Sequence, residues 1–214
     1  MKCRDTLSLL GISSSVFFSI DALGQREDPV KSLIIGKQVW MADNLNVTRF
    51  RNGDLIANPA EDKAWTAAGL KGTPAYSIYE NNVDYRDRWG LLYNYFVITD
   101  TRGVCPDGWR IPENKDWDEL ETFLGKPGAS SKLKSKKGWI NNGNGSDEVF
   151  FNGLPGGFRL KGGEYRLGLR VGYWWSKTLD KAGDATSILL FDYDSKIFRI
   201  QYPKDLGQSI RCIK

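Results

Sequence analysis

Apolar and polar positions change their period several times along this chain, and each change predicts an element. In "LIIGKQVWMADNLNV" apolar positions alternate after a break at Gly36-Lys37, which predicts two strands joined at that turn. Residues 50–90 show little periodicity and are rich in Gly, Pro, Asn, Asp and Tyr. They read as a long ordered loop region, held down by Trp65, Tyr76, Tyr79, Tyr85 and Trp89. "LLYNYFVIT" is an apolar run too short for its period to separate helix from strand. The helical period is clearest in "ENKDWDELETFLG". Pro112 ends an extended segment, Glu113 or Asn114 caps the first turn, and Gly125 stops the helix. Trp117, Leu120, Phe123 and Leu124 recur at helical spacing between them. After the loop "NNGNGSDE" come short strands in "VFFNGLPGGFRL", "EYRLG", "GYWWS", "SILLFDY", "KIFRIQY" and "QSIRCIK". Ile188–Tyr193 and Lys196–Tyr202 form a hairpin pattern turning at Asp194-Ser195. One good helix followed by regular short strands predicts an α+β fold with a mainly antiparallel sheet. No repeat, low-complexity tract or internal linker divides the chain.

The first residues stand apart from this pattern. Lys2 and Arg4 precede an apolar and small-residue run from Leu7 to Ile20, and Ala22-Leu23-Gly24 offers small residues for cleavage. Residues 1–24 therefore read as an export signal, with an uncleaved anchor as the alternative. Residues 25–33 are polar and read as a flexible N-terminus, and residues 34–214 as one domain without a membrane span. Cys3 lies too far upstream of the cleavage position to accept a lipid. The net charge of +4 makes no case for nucleic acid, and the cluster Lys132, Lys134, Lys136, Lys137 reads as a solvated surface.

Once Cys3 leaves with the signal, Cys105 and Cys212 are the remaining cysteines. In an exported chain they most simply form one disulfide, two separate thiols being the alternative. The sequence contains 0 histidines, which excludes Ser-His-Asp and Cys-His catalysis and the commonest zinc ligand. Carboxylate chemistry is what that leaves to an enzyme.

Seven stretches in order carry a resemblance: "WMADNLN", "AW…GTPAYSIYENN", "WGLLYNYFVI", "CPDGWRIPENKDWDEL", "FNGLPGGFR", "GYWWSKT" and "SIRCIK". Together they resemble the Fibrobacter succinogenes major paralogous domain (FISUMP) family, exported proteins of Gram-negative bacteria, over roughly residues 34–214. "RIPE" stands where relatives commonly have "RLPT", and "WWSKT" where "WWSST" is common. The resemblance implies a C-type-lectin-like fold, related to formylglycine-generating enzymes: one main helix, a curled antiparallel sheet, long ordered loops and adjacent chain ends. It also implies a disulfide from the main-helix region to the last strand, which Cys105 and Cys212 match. It implies a periplasmic, cell-surface or extracellular location, and supplies no mechanism.

Four functional readings compete. A formylglycine-type redox enzyme needs a reactive copper-holding cysteine pair, whereas Cys105 and Cys212 read as a structural pair with no third sulfur or histidine nearby. A carboxylate enzyme could draw on Asp116, Glu119, Glu148, Glu164, Asp192 or Asp194, but spacing places no two of them across a substrate. A calcium site is conceivable in "NNGNGSDE", with Asn141, Asn144, Asp147 and Glu148 as oxygen ligands, against an Asn/Gly turn with solvated charges. The leading reading is a non-catalytic module that binds glycan or a cell-surface protein. Its candidate contacts are Asp180, Asp184, Asp192, Asp194, Tyr173 and Trp175, and a structural envelope role is the other alternative.

The remaining dense features read as architecture. Trp174 points opposite to Tyr173 and Trp175 if the three lie in one strand. Gly156-Gly157 reads as a strand bend or bulge. In "CPDGWRIPENKDW" Trp109 reads as a core plug, Arg110 as one half of a buried ion pair, and Trp117 as the start of the buried helical stripe.

Overall fold

The computed structural model describes residues 30–214. The expected export signal lies outside them. The segment expected to be flexible enters only at its end, where strand β1 (Ser32–Ile35) already begins. β1 pairs antiparallel with β2 (Gln38–Met41) across a turn at Gly36, whose φ of 62° suits a residue without a Cβ. On its other side β2 meets the chain end: Met41 N–H donates to Cys212 O at 3.0 Å and Lys214 N–H to Val39 O at 2.9 Å.

Residues 50–90 are more regular than their composition predicts. They hold α1 (Asp62–Leu70), β3 (Tyr76–Ser77), a 3-10 turn (Tyr79–Asn81) and α2 (Val83–Trp89). Each α-helix buries a single residue, Trp65 in α1 and Trp89 in α2, so neither has an apolar stripe for periodicity to detect. Arg159 pins the region from outside. Fully buried, it donates to Pro59 O (2.9 Å), Ala60 O (2.8 Å) and Gly163 O (2.8 Å), and stacks on Trp65 and Tyr165. The ambiguous apolar run divides into β4 (Leu92–Tyr93), antiparallel to β3, and α3 (Tyr95–Thr99).

The main helix is α4 (Asn114–Leu124), followed by the short α5 (Ala129–Leu133). Glu113 caps α4 in a reciprocal box with Asp116, and Gly125 ends it at φ 83°. Trp117, Leu120 and Leu124 are buried as the spacing predicts, but Phe123 is 59 % exposed. Its place in the buried stripe is taken by Glu121, which faces Arg199 and Lys126.

β7 (Val171–Leu179), β8 (Ala185–Phe191) and β9 (Phe198–Tyr202) form an antiparallel sheet with β8 in the middle, and β5 (Phe158–Arg159) pairs with β6 (Tyr165–Arg166). In place of one continuous curled sheet the described residues form four small antiparallel ones, and the class is α+β. The expected last strand, "QSIRCIK", forms no ladder. It threads between the others through single bridges, Tyr93–Gln208, Trp174–Ser209 and Trp40–Ile213 among them.

Both faces of the three-stranded sheet are covered. Trp174, Ile188 and Leu190 pack toward α4 and α5 with Trp40, Trp117 and Phe151. Tyr173, Trp175 and Leu189 pack on the opposite side with Tyr93, Tyr95, Phe158 and the Cys105–Cys212 disulfide. Trp109 is only half-buried at the edge of that second core, so it is less of a plug than expected, because the Asp107-Gly108 turn beside it lies in solvent. Gly157 has φ 62° and lies in the turn entering β5, where a Cβ would meet the backbone of Arg166 and Gly168; Gly156 precedes it in the same bend. Among the described residues no helix is long and apolar enough to cross a membrane.

Candidate functional site

Each sequence-predicted site residue can now be placed. Tyr173 and Trp175 are 3 % and 0 % exposed, so neither ring is available to a ligand. Their strand is covered on both faces, which leaves no outward side for either ring. Tyr173 packs against Phe158 and Tyr202, and burial pushes its hydroxyl pKa upward. Trp175 packs edge-on to Tyr95 and donates Nε1–H to Tyr93 O. Trp174 does face the other way, and its Nε1–H donates to Asn44 Oδ1 at 2.8 Å.

The four acidic candidates separate to opposite ends of β8, a strand of 7 residues and so about 23 Å long. Asp180 and Asp184 form the β7–β8 turn, where Asp180 Oδ1 accepts from the N–H groups of Ala182 and Asp184. Asp192 and Asp194 belong to the β8–β9 turn.

The loop expected to hold calcium packs against that second turn. Asn141 Nδ2 donates to Asp192 Oδ2 at 2.7 Å. A Cβ at Gly143 would fall 2.7 Å from Asp192 Cα, so this contact requires glycine. The other three oxygen donors turn elsewhere. Asn144 Oδ1 accepts from Trp139 N–H, Asp147 Oδ1 accepts from Asn152 N–H, and Glu148 lies 3.7 Å from Lys132 Nζ. Among the described residues no three Asp, Glu, Cys or His side chains are grouped so as to hold a metal ion.

Asp192 is the centre of what the fold assembles here. It is 5 % exposed, and its Oδ2 also accepts from Arg170 Nε at 3.3 Å, while its buried Oδ1 has no partner. Beside it Lys134 is 4 % exposed, not solvated as its lysine-rich context predicts. Its Nζ donates to Phe191 O (2.9 Å) and Asp194 O (3.2 Å), and burial draws its pKa below the ordinary lysine value. Tyr193, next along the turn, projects a ring that is 71 % exposed and leans on Phe191 at 5.2 Å. Ile140 and Leu169 are partly exposed nearby, joined by the Ile140 N–H to Leu169 O bond.

On the other flank of the same turn lies a half-open cleft of about 240 Å³, between the end of α4 and Ser195–Ile197. Glu121, Lys126, Gly128 and Lys196 line it. Tyr193, Arg170, Glu121, Lys126 and Lys196 went unrecognised in the sequence. The one signal for them was an aromatic residue inside a two-strand turn, "FDYDS", where polar residues are usual.

Asp116, Glu119, Glu148 and Glu164 do not join this group. Asp116 is the buried partner of Arg110, with guanidinium–carboxylate contacts of 2.6 and 2.8 Å, and Arg110 itself is half-exposed. Burial pushes the Asp116 carboxyl up, but the Arg110 and Glu113 N–H hydrogen bonds outweigh it and hold the pKa below the ordinary value. Glu119 lines a groove beside the β1–β2 turn, and Glu164 is exposed.

Residues 33–214 match the model of the Fibrobacter succinogenes major domain. The chain belongs to that family. The matched span takes in all of β1 but its first residue, every later element, Cys105, Cys212 and the whole β8–β9 turn. No curated protein and no solved structure matches the chain.

Proposed function

We propose that this is an exported, non-catalytic glycan-binding module whose binding site is the β8–β9 turn, built on a variant of the C-type-lectin-like fold. The observation that carries the reading is the 71 % exposed Tyr193 ring beside the hydrogen-bonded set Asn141, Arg170 and Asp192. An aromatic face takes up the apolar side of a sugar ring, and the neighbouring amide and guanidinium groups, held by the buried Asp192, take its hydroxyls. The pairing of β2 with the C-terminal segment and the disulfide from the segment before α4 to that segment support the lectin-like part. The non-catalytic part is supported by where the reactive groups go. Cys105 and Cys212 are joined and buried, and Asp116 is held in an ion pair.

The test is a glycan array followed by titration calorimetry on the best ligand, with and without a chelator, for the wild type and Tyr193→Ala. Binding by the wild type that falls at least tenfold in the variant is expected. An array with no bound glycan, or a Tyr193→Ala protein that binds as the wild type does, overturns the reading. Sensitivity to the chelator assigns calcium a part in the site.

A further inference from the structure

The cleft on the far flank of the β8–β9 turn has a chemistry of its own. Its floor is Glu121, a side chain 7 % exposed at the end of the α4 stripe. One oxygen, Oε2, carries both cations, Arg199 Nη1 at 3.0 Å and Lys126 Nζ at 3.2 Å. Glu121 itself lines the cleft, so a largely buried carboxylate that already faces two cations is presented to it.

The walls carry the opposite sign. Lys126 and Lys196 both line the cleft and are both exposed, and Arg199 is matched separately by Asp118 at 2.6 Å. One carboxylate against two ammonium groups leaves the lining with a single net positive charge. The rim is also fixed in place. Ser130 N–H donates to Ser195 O at 3.1 Å, and Lys196 N–H to Asp194 Oδ1 at 2.8 Å, tying the turn to α5 and to itself. About 240 Å³ is below the roughly 300–1,000 Å³ of drug-sized sites, so there is room for one ring and not for a chain.

We propose that this cleft is a subsite for a single carboxylate-bearing sugar residue within the bound glycan. It rests on the glycan reading of the turn. The sugar carboxylate would sit between Lys196 and Lys126, and a ring hydroxyl would donate to the Glu121 carboxylate. Charge-assisted contacts of this kind discriminate against a neutral sugar, which would leave Lys196 without a counter-charge. Uronic acids and sialic acids share this chemistry.

The experiment compares a uronic-acid oligosaccharide, the same oligosaccharide with its carboxyl groups reduced to alcohols, and a sialylated oligosaccharide, by calorimetry at low and moderate salt. The expected result is at least tenfold tighter binding of one acidic ligand over the reduced one, lessening with salt. Lys196→Gln and Lys126→Gln should each bring the ratio of the two affinities toward one. Preference for the uronate or for the sialylated ligand supports the subsite and says which acid it takes. Equal affinity for the acidic and reduced ligands, or a preference that both lysine variants leave intact, overturns the subsite while the glycan reading stands. No binding of any of the three, together with an empty glycan array, overturns the glycan reading and the subsite with it.

Discussion

The corner at residues 105–117 and the turn at residues 192–197 differ in where their conspicuous side chains go. In the corner most of them have an architectural partner, although Asn114 Oδ1 and Trp117 Nε1 are buried without one. Cys105 is bonded to Cys212, Arg110 and Asp116 pair, Arg110 N–H donates to Ile213 O, and Glu113 and Asp116 cap α4. At the turn, Glu121 lines a cleft beside Lys196, and Tyr193 stands out in solvent. The corner is the more unusual piece of sequence, and the turn is the better candidate for function. Residues with strong conformational or bonding demands cluster where the chain must be specified, whereas a binding surface must keep its groups unspent.

Three perturbations probe this contrast. The largest effect should come from the corner. The disulfide joins residues 107 positions apart, and replacing both cysteines by serine should cost about 2–5 kcal/mol in denaturant unfolding. An unchanged unfolding midpoint would mean that the bond does not hold the corner together.

Next comes Asp116→Asn, which removes the ion pair to Arg110 and weakens the box at Glu113, for about 1–3 kcal/mol. Its sign with pH is fixed by the depressed pKa. The carboxylate contributes its full stability above the ordinary value of 3.8 and loses it as pH falls through the lower folded value. The wild type and the variant should therefore converge in stability in that acid range. A gap that persists there assigns the loss to packing and not to charge.

The smallest stability effect belongs to the turn. Tyr193→Ala should change unfolding by no more than about 0.5 kcal/mol, because the ring is mostly solvated. A loss above about 2 kcal/mol, measured by the same unfolding, would exceed what a solvated surface residue gives. It would make Tyr193 a structural residue and remove the contrast.

Much of the architecture was legible in the chain. The cysteine pairing follows from the two cysteines after the expected signal, and the Gly36-Lys37 hairpin, α4 with its cap and stop and the β8–β9 hairpin follow from local chemistry that adjacent residues express. So does the opposed direction of Trp174 relative to Tyr173 and Trp175 in β7. Tyr173 and Trp175 also show where this ended. Alternation gives opposite faces but not which face is covered, and here both are. Lys134 makes the same point for charge. The lysines at 132, 134, 136 and 137 look solvated as a group, yet one ammonium is buried against the carbonyls of Phe191 and Asp194, 57 and 60 residues away.

By itself the sequence determined the class of fold, the main helix and the two cysteines available for a covalent tie. The first two rest on period and capping within short reach, and the third on residue type. Only the tertiary structure decided that Asn141, Arg170 and Asp192 meet, that Glu121 floors a cleft beside Lys196, and that Arg159 and Arg211 are fully buried cations. The physical reason is that exposure and unspent hydrogen-bonding capacity are properties of what packs around a residue. In this chain the residues that pack around the turn come from separate segments, so no one stretch of sequence displays the site.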